Sequence, residues 1–116
     1  MPSLSLRIDF DPEGRLGPGK VTLLEKVAAS GSISAAARSM NMSYKHAWDL
    51  IEEMNLLFGK PLVSTQTGGK DGGGAQLTAI GKAVVTRFRA IENAAARAAR
   101  AQMEELQAEI AERSAD

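Results

Sequence analysis

From Leu4 to Phe10 the chain alternates, with Leu4, Leu6, Ile8 and Phe10 on one side and Ser5, Arg7 and Asp9 on the other. A period of two predicts a half-buried strand. Asp11-Pro12-Glu13-Gly14 is a turn, and Gly17-Pro18-Gly19 is a second break. From about Lys20 to Ser30 the period changes. Val21, Leu24, Val27 and Ala28 recur at spacings of three and four, which predicts an amphipathic helix with Lys20, Glu25 and Lys26 outward. Gly31 ends it.

The stretch from Ser32 to Phe58 organises the rest. Ser32 is placed to cap a short Ala-rich helix that stops at Asn41, a residue type that tolerates the left-handed conformation of a sharp turn. Ser43 then caps a second helix. Ala36 and Ala37 let the two helices approach, and Met40, Met42, Ala47, Leu50 and Ile51 fill the angle between them. Such a pair is a helix-turn-helix, whose second helix enters the DNA major groove by its N-terminal end. An ordinary helical hairpin fits the same pattern. Along the second helix Ala47, Ile51, Met54 and Phe58 form a core stripe, while Tyr44, Lys45 and His46 stand in its first turn. Asp49, Glu52 and Glu53 would repel phosphate further along, so contact is expected at the N-terminal end alone.

Gly59-Lys60-Pro61 terminates that helix, and Leu62 to Thr67 is β-branched and polar, suited to a strand. Gly68 to Gly74 holds five glycines around Lys70 and Asp71, and Ala75 to Thr78 returns as a second strand. Two strands around a basic, Gly-rich tip make the wing of a winged helix. The tip is not a nucleotide-binding loop, because Gly69-Lys70 is followed by Asp71 and Ser64 stands where the first glycine should be. Thr78 caps a last helix that meets no breaker from Gly81 to about Glu112. At ~1.5 Å per residue it reaches ~45 Å, longer than so small a body. Val84, Val85, Phe88 and Ile91 are expected to be buried along its first half. Ala95, Ala98, Met103, Leu106 and Ile110 extend the apolar seam, which suits a second copy of the chain.

Composition narrows the function. No cysteine is present and His46 is the one histidine, so neither a thiolate metal site nor a Ser-His-Asp triad is expected, nor any enzyme activity or cofactor. No apolar run reaches the roughly 18 residues of a membrane span, and the N-terminus lacks signal-peptide character, so a cytoplasmic protein is expected. The formal charge is zero but unevenly spread. Residues 1–16 carry 2 basic and 3 acidic side chains, residues 17–91 carry 9 and 5, and residues 92–116 carry 3 and 6. The positive part coincides with the helix-turn-helix, and the tail is acidic.

Three groups of residues carry a resemblance. They are Ser32-Ile33-Ser34-Ala35-Ala36-Ala37, then Met42-Ser43-Tyr44-Lys45-His46-Ala47-Trp48, then Asn55-Leu56-Leu57-Phe58-Gly59-Lys60-Pro61-Leu62-Val63. With the Gly-rich stretch at 68–74 and Leu77-Thr78-Ala79-Ile80-Gly81, they resemble the N-terminal DNA-binding domain of ModE-type molybdate-responsive transcriptional regulators, relatives of the LysR-type winged-helix domains. The resemblance implies a mostly α fold with a small β-hairpin wing and a long C-terminal dimerisation helix. It divides the chain into a DNA-binding domain at 1–80 and an arm at 81–116.

It further implies a sequence-specific regulator that binds double-stranded DNA as a homodimer. The DNA-facing set is expected to be Ser32, Ser34, Arg38, Ser43, Tyr44, Lys45 and His46, with Thr67 and Lys70 on the wing. The dimer seam is expected at Val84, Val85, Phe88, Ile91, Ala95, Ala98, Met103, Leu106 and Ile110. Two departures stand out. Members of the family continue into an oxyanion-binding domain where this chain stops, so no molybdate response is expected. They also tend to carry Arg where this chain has Thr65. With the balanced charge, that departure keeps open a second role, a winged-helix protein-interaction module with little DNA affinity.

Overall fold

In the computed structural model, which describes residues 1–66 and 74–115, helix α1 (Pro18–Ser30) is the element on which the others pack. The α2 (Ile33–Ser39), α3 (Tyr44–Phe58) and α4 (Ala79–Ala115) helices all touch it, as does strand β4 (Gly74–Leu77). The helix begins at Pro18, two residues before the expected start, because a proline at the first helical position has no N–H to leave unpaired. Val21, Leu24 and Val27 are buried as expected. Leu23 is buried too and Ala28 is exposed, because α1 has neighbours on several sides and its apolar arc is wider than a single stripe. Gly31 closes the helix at φ +70°, its N–H bonding Val27 O at 2.8 Å.

The N-terminal alternation yields less strand than expected. Only β1 (Ile8–Asp9) pairs, antiparallel to β2 (Arg15–Leu16), and Phe10 N–H reaches back to Gly14 O at 2.8 Å. The close turn leaves no partner for Leu4, which is exposed. Leu6, Ile8 and Phe10 do pack on the core. Phe58, expected within that core, is half-buried at its edge and meets Phe10 edge-to-face at 6.0 Å.

Leu62 joins three elements. Its side chain is fully buried, its N–H donates to Asn55 Oδ1 of α3 at 2.9 Å, and its carbonyl accepts from Thr78 N–H at 2.9 Å. Thr78 caps α4 as expected, accepting from Gly81 N–H at 3.1 Å, and its hydroxyl donates to Pro61 O at 2.8 Å. A Cβ at Gly81 would lie 2.1 Å from Leu62 O, so only glycine lets α4 approach this closely. Strands β3 (Val63–Gln66) and β4 leave the junction as an antiparallel pair, Val63 opposite Leu77 and Gln66 opposite Gly74. Three helices, a two-stranded wing and a long final helix give the winged helix-turn-helix read from the sequence.

The α4 helix has 37 residues and carries the molecule to 62 Å in its longest dimension. Val84 and Phe88 lie within the core, with Val85 partly buried against it. Ile91, expected to be buried, is 44% exposed, because α4 has already passed the edge of the body there. At that edge Arg89 ties α4 to α1. Its Nη2 and Nε contact the two oxygens of Glu25 at 2.6 and 3.2 Å, Nη1 donates to Glu92 at 2.7 Å, and Nη2 also reaches Thr22 Oγ1 at 3.0 Å. A forked guanidinium–carboxylate pair fixes orientation as well as distance.

These bonds shift both groups. Hydrogen bonding from Arg89 holds the Glu25 carboxyl below its ordinary value of 4.5; partial burial opposes this, and the positive charges of Arg89 and Lys26 add to it. Hydrogen bonds to Glu25 and then Glu92 raise Arg89 well above its ordinary value. A depressed carboxyl stabilises the fold above its unfolded pKa and loses that contribution as pH falls through the folded one. Glu25 keeps 40% of its side-chain exposure, so screening holds the contribution to about 0.5–1 kcal/mol. Urea denaturation should therefore find Glu25→Gln less stable than wild type by about that amount at pH 7. The difference should close below the ordinary carboxylate pKa, and a gap that persists unchanged at pH 3 would separate the bond from the pH dependence.

Candidate nucleic-acid interface

The turn between α2 and α3 is built from local chemistry. Ser32 Oγ accepts from Ala35 N–H at 3.1 Å and Ser43 Oγ from His46 N–H at 3.0 Å, so both serines cap as expected. Asn41 adopts φ +55°, the left-handed residue of the turn. Ala36, Ala37 and Ala47 are buried where the helices cross, and larger side chains there would push them apart. The crossing projects the first turn of α3 outward, leaving Ser43, Tyr44, Lys45 and His46 all exposed.

Viewed down its axis, α3 has four sides. Ala47, Ile51 and Met54 face the core, and Lys45 and Asp49 face away from it. Lys45 Nζ lies 2.9 Å from Asp49 Oδ2, so the carboxylate read as a repeller of phosphate also holds the foremost cation. Both partners are largely exposed, so the pair adds little stability. One flank carries Tyr44 and Trp48, stacked edge-to-face at 6.3 Å, and looks across a groove to the cap Ser32 and to Ser34 of α2 and to Thr65 and Gln66 of β3. The other flank carries His46 and Leu50 and faces Met40, Met42 and the β1–β2 ribbon.

The structure therefore brings Ser32, Ser34 and Tyr44 to one groove. Lys45 lies on the outer face of α3, His46 on the far flank, and Arg38, whose Nη1 donates to Ser34 Oγ at 3.0 Å, beside the groove. Thr67 and Lys70 lie outside the described residues. Trp48 and Gln66 also line the groove and were not in the expected set. The i, i+4 spacing from Tyr44 places Trp48 there, whereas nothing local marks Gln66. Of the expected dimer seam, Val84 and Phe88 lie inside the chain's own core and have no surface left to offer. Ile91, Ala98, Leu106 and Ile110 are exposed along α4, and Ala95 and Met103 are half-buried. Among the described residues no cluster of three metal-ligating side chains occurs, and no helix is long and apolar enough to cross a membrane.

Comparison with known proteins accounts for this geometry. Residues 19–82, which hold α1, the helix pair, the wing and the start of α4, match the bacterial regulatory helix-turn-helix proteins of the lysR family. The chain belongs to the LysR family. Among curated relatives of this LysR-family chain, the molybdenum-pterin-binding protein MopB of Rhodobacter capsulatus is 47% identical over 78 residues, 67% of this chain and 29% of that protein. The molybdenum transport protein ModE of Azotobacter vinelandii is 42% identical over 87 residues, 75% of this chain and 32% of that one. The DNA-binding transcriptional dual regulator ModE of Escherichia coli K12 is 48% identical over 71 residues, 61% and 27%. The matched stretch thus spans less than a third of each relative, and the resemblance to ModE-type regulators is borne out.

In fold, the LysR-family chain is similar to the crystal structure of the CbnR_DBD–DNA complex, with a TM-score of 0.58 at 22% identity over 76% of this chain and 95% of that one. Full-length CbnR complexed with its target DNA gives 0.55 over 73% and 28%.

The caps carry a first test. Ser43→Ala leaves His46 N–H unpaired at the start of α3 and should lower stability by about 1 kcal/mol in urea denaturation. No loss would mean that water replaces the cap without cost.

Proposed function

We propose that residues 1–80 form the DNA-binding part of a transcriptional regulator and residues 81–116 the arm through which two copies pair. The observation that carries this is the first turn of α3, where three donor-bearing side chains, Tyr44, Lys45 and His46, stand exposed on a rigid helix beside the wing. A helix about 10–12 Å across fits a major groove about 12 Å wide. Direct contact would come from Lys45 and His46, while the hydroxyls of Ser32, Ser34 and Tyr44 are suited to phosphate oxygens and so to fixing register. Arg38 would add a cation at the same edge, and the wing residues Thr67 and Lys70 are assigned to the neighbouring backbone. Tetrahedral oxyanions have no part in this reading, since they need donors converging in a closed pocket and the grooves here are open. No catalytic role belongs to it, and such a regulator acts in the cytoplasm, where bacterial DNA is.

The proposed pairing surface excludes Val84 and Phe88. It begins at Ile91 and follows Ala95, Ala98, Met103, Leu106 and Ile110, where small side chains permit close approach and Ile91, Leu106 and Ile110 otherwise face water. A second reading, a protein-interaction module, draws on the neutral sum of charges and on the Lys45–Asp49 pair, which already engages that exposed cation. Salt separates the two, because DNA affinity falls steeply with ionic strength as phosphate contacts release counterions.

Two experiments test the reading. Lys45→Ala should weaken binding to a duplex selected from random sequence by ~1–3 kcal/mol and leave the urea midpoint nearly unchanged. Equal affinity in anisotropy titrations would remove Lys45 from the interface. Leu106→Glu places two charges in the paired arm and removes two buried leucines, a loss of ~1.5 kcal/mol or more each. Sedimentation should then show self-association weakened by roughly a hundredfold, whereas an unaltered dimer would move the interface elsewhere.

A further inference from the structure

The flank of α3 that faces away from the wing opens onto a groove rimmed by Arg7 and Arg15 of the β1–β2 ribbon, Lys20 of α1 and His46 of α3, with Met40 and Met42 on its floor. No carboxylate lines it, while Arg15 and Lys20 also border the adjoining groove that holds Glu13 and Glu53. Two of the cations are already engaged. Arg7 Nε lies 2.9 Å from Asp9 Oδ1, and Lys20 Nζ lies 3.0 Å from both Glu53 Oε2 and the carbonyl of Arg15. Asp9 stands opposite Arg15 in the ribbon register, yet among the described residues Arg15 makes no ion pair. Arg15 is exposed at the rim, on backbone that both the ladder and Lys20 hold in place.

We propose that this ribbon groove is a second DNA-backbone contact, on the strand opposite the one met by the wing, with Arg15 as its phosphate-binding residue. The inference rests on the DNA-binding reading and extends it. A helix lying in a major groove has a phosphate backbone along each side. The Tyr44–Trp48 flank meets one of them through the hydroxyls of α2 and β3. The His46–Leu50 flank faces the other, and there the structure puts an exposed arginine on backbone that is held in place. The helix is thus held between two rails, the wing and the ribbon. Guanidinium on phosphate positions without reading sequence, so Arg15 supplies affinity and register rather than specificity.

The test is a salt titration of the full chain by fluorescence anisotropy, on a duplex selected from random sequence by the wild-type protein and on a scrambled duplex of equal length. Arg15→Gln should lower affinity for both duplexes by the same factor, roughly eightfold at 0.1 M salt, and flatten the slope of log affinity against log salt by about 0.9. Arg15→Lys should keep the slope, and Arg97→Gln on the arm should change nothing. Thermal melting of Arg15→Gln should match wild type, since the side chain is exposed. A wild-type protein with no salt-dependent binding would remove the DNA-binding reading itself. If wild type binds and Arg15→Gln keeps its slope, or loses affinity for the selected duplex alone, the ribbon contact is overturned and the DNA-binding reading stands.

Discussion

The anchoring of Leu62 is the constraint on which the rest depends. A buried peptide group must find partners inside the protein, and each one left unmet costs about 1–3 kcal/mol. Leu62 meets that demand with two elements at once, its N–H on Asn55 of α3 and its carbonyl on Thr78 at the head of α4. Its buried side chain prevents water from substituting for either. The direction of α3, the root of the wing and the exit of α4 are therefore one geometric quantity. A second bond, from Ala75 N–H to Gly31 O at 2.9 Å, ties the returning wing strand to the joint between α1 and α2.

The parts of the fold legible in the sequence are those decided within a few residues. Ser32 and Ser43 cap, Asn41 turns and Gly31 and Gly59 end helices because each acts on backbone at most four positions away. The face of α3 was equally plain, since its apolar residues repeat at one period. What a local reading cannot reach depends on partners distant in the chain. The Arg89–Glu25 fork spans 64 positions, and Glu25 alone reads as a solvated helix charge. Gly81 reads as a weak point in a helix until the carbonyl of Leu62 is seen against it. Leu23 lies off the main stripe and is buried because α1 is surrounded. Ile91 lies on the stripe and is exposed because the body has ended. Within the candidate site, the Tyr44, Lys45 and His46 turn followed from its cap, while the grooves on either side of it came from packing.

Charge behaves likewise. Several cations of the body are paired with a carboxylate on the same or an adjacent element, Lys45 with Asp49, Lys20 with Glu53 and Arg7 with Asp9. A net charge of zero therefore describes a surface of short-range pairs rather than a featureless one. Its field is local, set by which cations are left unmatched and where they stand.

The length of α4 makes it a lever with its fulcrum at Arg89. Beyond Glu92 the helix extends about 35 Å, so a tilt of about 5° at the clamp displaces the tip by about 3 Å. Thr22, Glu25 and Glu92 hold the guanidinium from three directions, which limits that tilt where the lever arm begins. Angular error at one residue becomes linear error at the far end, and a stiff clamp near the pivot corrects it more effectively than any contact at the tip.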